Sequence, residues 1–177
     1  MARGSPRLSL IEAALLLCLI AVVLVVFVPT FMRQIRTNKI SEAAELLQEM
    51  SRRASAYYDT TRPSLEPGCL PRAAGPTPSA PSEEPRAIDF FSPEAAGHAT
   101  WEAIGFQPER PIRFSYSYTP GEHGCGLRGS TEDVSVVFRA EGDLDGDGVR
   151  SVFERRASAG RDGFTPGDAL LVHQRTE

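Results

Sequence analysis

The chain has 177 residues and a formal net charge of −4, a length that suits one globular domain with additions. The charge is uneven: residues 1–59 carry seven Lys/Arg against five Asp/Glu, and the remainder carries twelve against eighteen. An acidic remainder excludes a general nucleic-acid binder, which needs a basic face against phosphate.

Residues 1–7, "MARGSPR", read as a short basic leader. Residues 8–32 then supply an apolar run in which nothing between Ala13 and Met32 carries a charge. About 20 such residues cross a bilayer as a helix. A secretory signal peptide has an apolar core of about 7–15 residues followed by a small-residue cleavage site. This run is longer and leads into "VPTFMRQIR", which has no such site, and Cys18 follows "LLL" rather than the small residue a lipidated cysteine wants. The expectation is a single span with a domain on the far side. Arg3 and Arg7 before the span are opposed by Arg33, Arg36 and Lys39 after it, so the positive-inside tendency gives no clear orientation.

Glu12 stands at the mouth of the apolar run. An acid near the bilayer core costs roughly 2.5–3.5 kcal/mol on insertion scales, which makes it a functional candidate. The competing reading is a carboxylate that snorkels to the headgroups from the helix end.

Helical spacing continues through residues 33–59. Ile35, Ile40, Ala43, Ala44, Leu47, Met50, Ala54, Tyr57 and Tyr58 recur at intervals of three and four, and Arg36, Lys39, Glu42, Glu45, Glu49, Arg52 and Arg53 stand opposite. This predicts an amphipathic continuation of the first helix, with Pro29 kinking or loosening the join. Residues 60–87 hold seven of the 14 prolines and read as an irregular loop.

Residues 88–177 read as a globular α+β head. Ser92 and Pro93 predict the cap and first residue of a short helix ending near Gly105, with Trp101 and Ile104 inward. Ile112, Phe114, Tyr116 and Tyr118 alternate with Arg113, Ser115 and Ser117, the pattern of a half-buried strand. "VSVVFRA" predicts a second strand with Val134, Val136 and Phe138 inward, and "DALLVHQ" a last one, while "SVFERR" reads as strand or helical turn. The predicted fold is α+β: a long N-terminal helix, membrane-spanning in its first half, packed on a small antiparallel sheet of three or four strands. Cys69 and Cys125 lie in the part placed outside the cytoplasm, where two cysteines form a disulfide; two free thiols is the other reading.

The segment "LSLIEAALLLCLIAVVLVVFVPTFMRQIR", with Glu12 and Pro29 spaced 17 residues apart and Leu-Ile-Glu opening the apolar run, resembles the type IV pilins and type II secretion pseudopilins. The resemblance covers residues 8–59 by motif and the rest by architecture. It implies a structural subunit of a bacterial envelope filament or secretion apparatus. Such a subunit waits in the inner membrane with its C-terminal domain in the periplasm or at the cell surface, and packs on other pilin-like subunits through the N-terminal helix. Glu12 and Pro29 are then the assembly residues. The resemblance also implies a prepilin peptidase cutting between Arg7 and Leu8. The family has a small residue, usually glycine, where this chain has Arg7, and Gly4 is the nearest glycine. Processing is therefore unusual or the leader is retained.

"DLDGDGVRSVFE", residues 143–154, fits the 12-residue calcium loop of an EF-hand. Asp143, Asp145 and Asp147 alternate, Gly148 permits the turn, Val149 offers its carbonyl, Ser151 holds a water, and Glu154 closes with two oxygens. The expected cofactor is Ca²⁺. The alternative is an acidic surface turn, for which the crowded carboxylates repel one another unless a cation sits among them. A single-span, membrane-anchored calcium-binding domain that does not polymerise is the competing function.

Nothing points to an enzyme, a nucleic acid or a small-molecule substrate. His98, His123 and His173 are far apart, and His123 two residues from Cys125 in a glycine-rich turn is a weak nucleophile–base signal.

Overall fold

The computed structural model describes the backbone of residues 9–62, 67–125, 133–143, 146 and 148–173, with side chains throughout these except at 28–40. Two compact units result, Met1–Lys39 and Ile40–Glu177. Helix α1, Leu10–Thr60, has 51 residues and runs through position 29 without a break in its helical assignment. Pro29, whose ring was expected to kink or loosen the helix, lies outside the described side chains.

In the first unit, the 18 residues Leu10–Phe27 form a stretch long and apolar enough to cross a membrane. None of that stretch is buried against protein. Leu17, Leu19, Val25 and Phe27, for example, are all exposed.

In the second unit, α1 buries Ala43, Leu47, Met50, Ala54 and Tyr58, which share one helical face. The helix ends where Thr60 and Thr61 hydroxyls donate to the Tyr57 carbonyl, each at 2.9 Å. Pro63 follows shortly and disfavours a further turn. On the outer face, Glu49 accepts from Arg52 at 2.7 Å and Arg53 at 2.6 Å. Desolvation raises the Glu49 pKa, but the two guanidinium partners outweigh it and hold the carboxyl below its ordinary value.

The short strands β1 (Cys69–Leu70) and β2 (Ala74–Thr77) follow. Helix α2 (His98–Ile104) precedes β3 (Ser115–Pro120), β4 (Gly124–Cys125), β5 (Val134–Gly142), β6 (Ser151–Gly160) and β7 (Gly163–His173). β1 and β4 pair as a separate two-stranded ladder, and the main sheet runs β2-β3-β5-β6-β7, antiparallel throughout. Tyr116 and Tyr118 of β3, Val136, Phe138 and Ala140 of β5, and Phe153 and Ala159 of β6 meet α1 in one core cluster. Phe90, Trp101 and Phe106 close it, with ring centroids 5.4–5.7 Å apart. A Phe or Trp deleted from such a core costs about 3–5 kcal/mol.

Three expectations are corrected. The main sheet has five strands, not three or four. The proline-rich segment 60–87 is not wholly irregular: it contains β1 and β2, and β2 includes Pro76. Proline is tolerated there because β2 is an edge strand, where a missing N–H breaks no interior ladder. Helix α2 begins at His98, not at Pro93. Ser92 and Pro93 open a turn in which the Ser92 hydroxyl accepts from Glu94 N–H at 3.4 Å and its carbonyl from Ala95 N–H at 2.9 Å. The cap is Gly97, at φ 78°, and a Cβ there would meet that of Ala74 at 2.4 Å. The end at Gly105, left-handed at φ 66°, agrees with the sequence. "SVFERR" is strand, continuing to Gly160 and returning through a two-residue turn into β7.

Candidate functional site

The first candidate is the start of α1. Ser9 precedes the helix, and its carbonyl accepts from Ala13 N–H at 3.0 Å. The Ser9 backbone N–H donates to Glu12 Oε2 at 2.8 Å, the Ser9 hydroxyl donates to the same oxygen at 2.9 Å, and Glu12 N–H donates to Ser9 Oγ at 3.3 Å. This is a reciprocal capping box. It occupies donors a helix start otherwise leaves without partners, and it places a negative charge at the positive end of the helix dipole. The Ser-x-x-Glu spacing of Ser9 and Glu12 carries that signal in the sequence. Arg7 and Leu8, the expected cleavage residues, lie outside the described residues.

The second candidate is the hairpin between β5 and β6. Its last pair is Gly142 with Ser151, so residues 143–150 form the connection. Asp143 curls it: Oδ1 accepts from Gly146 N–H at 2.9 Å and Oδ2 from Gly148 N–H at 3.2 Å. Gly146 and Gly148 stand at φ 76° and 87°, values that favour glycine. Asp145 and Asp147 lie outside the described residues.

Of the remaining expected ligands, Val149 lies in this connection, and Ser151 and Glu154 lie in β6. Val149 is 41 % exposed, and Ser151 is buried as the first residue of β6. Glu154 is three residues further along β6, opposite Arg139 on one side and Leu171 on the other, roughly 10 Å from the hairpin's last pair at about 3.4 Å per residue. Its carboxylate lies 3.5 Å from Arg156 and 4.0 Å from His173. Ladder pairing on both sides of β6 holds Glu154 as strand. Among the described residues no three His, Cys, Asp or Glu side chains converge as a metal cluster. The sequence did not suggest Glu83, whose Oε2 lies 3.7 Å from where a Cβ on Gly146 would stand. A carboxylate distant in sequence thus faces the acidic hairpin.

Cys69 and Cys125 are joined by a disulfide across 56 positions and stand opposite one another in the β1–β4 ladder. Cys125 is therefore not available as a nucleophile for His123. Cys18 is the free cysteine among the described residues.

Titratable groups in the core have structural explanations. Burial pushes the Tyr116 hydroxyl well above its ordinary value, with the Glu42 charge adding to the effect, and burial likewise raises Tyr118. An open groove of about 380 Å³ runs between Pro76–Ser79 and Ile88–Ala96. Its buried hydroxyl, Thr77 Oγ1, donates to Ala96 O at 3.1 Å and accepts from Trp101 Nε1 at 3.2 Å, so it is committed to the fold.

Comparison with protein-family models, curated proteins and solved structures finds no match.

Proposed function

We propose that this chain is a pilin-like or pseudopilin-like structural subunit of a bacterial envelope filament or secretion apparatus. The observation that carries this reading is α1: one helix holds an unburied, membrane-length apolar stretch near its start and a core-forming face near its end. The apolar stretch anchors the chain in the inner membrane as a single pass, with the head in the periplasm or at the cell surface. It then packs among other pilin-like helices. Glu12, oriented by Ser9, meets a cation of a neighbouring subunit.

The test uses the full chain in its native membrane. Glu12→Ala is expected to insert and fold its head normally but to be recovered poorly with its filament partners. Normal recovery overturns the assembly role. N-terminal mass analysis of the same material gives a second check. A chain lacking the residues through Phe27 has used the apolar stretch as a signal sequence, and the reading fails.

A second reading, a membrane-anchored calcium-binding domain that does not polymerise, is favoured by one observation. Asp143 wraps the β5–β6 hairpin with both oxygens, and Glu83 faces it. In this reading Asp143, Asp145, Asp147 and Glu83 hold the ion, which cross-links the hairpin to the segment before β3. Calcium binding by a chain never found in an assembly supports this reading over the first.

A further inference from the structure

We draw no further inference here: the strongest candidate, the outer edge of β7 along Asp168–His173, which carries Ala169, Leu170, Leu171 and Val172, has no strand paired to it among the described residues, but nothing in the structure shows what covers it.

Discussion

Ser9 and Glu12 hold each other at the start of α1, two donors of the serine converging on Oε2 of the glutamate at 2.8 and 2.9 Å. The acid at the mouth of the apolar run therefore has a local partner, and its presence needs no second subunit. Assembly and capping make different predictions for the pair. Losing a cap costs about 0.5–2 kcal/mol. Ser9→Ala is expected to loosen the first turn, read as faster amide exchange over residues 10–13, while leaving recovery with filament partners reduced by less than Glu12→Ala reduces it. In a double-mutant cycle, a role confined to the cap makes the two single variants and the double variant equal. That equality would remove the intermolecular partner from the account.

Glu42 shows how helix and head are tied. Its Oε1 accepts from the backbone N–H of Arg113 at 2.7 Å and its Oε2 lies 3.3 Å from the Arg113 guanidinium. The periodicity assigns Glu42 to the solvent face of α1, yet its side chain is only 15 % exposed. Glu42→Ala removes the acceptor from a part-buried N–H and is expected to cost roughly 1–3 kcal/mol, measured by denaturant unfolding of the full chain in detergent. Glu42→Gln keeps an oxygen for the N–H and is expected to cost less. Equal losses in the two variants would assign the stabilisation to charge and not to the backbone contact.

Much of this fold is legible where packing periodicity is strong. Ile112, Phe114, Tyr116 and Tyr118 alternate inward as the sequence implies, and so do Val134, Val136 and Phe138. The helical face Ala43–Tyr58 is legible for the same reason. What escapes is fixed by tertiary context. β2 forms in a proline-rich segment because Pro76 falls on a sheet edge. α2 starts late because Gly97 packs directly on Ala74. β7 begins at Gly163, earlier than its apolar run suggests, because Pro166 and Gly167 disguise its first half and the β6–β7 register shifts there. At the hairpin, the twelve residues satisfy a calcium-loop pattern one by one. The pattern cannot show that the last four belong to a strand, because that depends on pairing with β5 and β7.

The Cys69–Cys125 bridge ties the segment after α1 to the connection between β3 and β5. On the chain-entropy model, a bridge across 56 positions contributes about 4 kcal/mol. Reduction is expected to lower the melting temperature by roughly 8–16 °C, at about 2–4 °C per kcal/mol for a chain of this size. Alkylation of unreduced protein should label Cys18 alone. Labelling of three thiols in material taken from the envelope would mean the bridge is not formed in the native protein.

The acidic hairpin gives the sharpest separation between the sequence pattern and the structure. If calcium binds there, it binds the folded chain and stabilises it by mass action, about 2.7 kcal/mol at a hundredfold excess over Kd. Millimolar calcium is therefore expected to raise the melting temperature of the full chain, and Asp145→Ala to abolish the rise. The sequence pattern requires Glu154→Gln to abolish it as well, since that residue would grip the ion with two oxygens. The structure commits Glu154 to β6, beside Arg156 and His173. The expected outcome is that Glu154→Gln keeps the calcium-dependent rise while Glu83→Gln reduces it. Loss of the rise in Glu154→Gln, with Glu83→Gln unaffected, would restore the twelve-residue loop and require β6 to open at its first turn when the ion binds. No rise in the unaltered chain would make the hairpin a solvated turn.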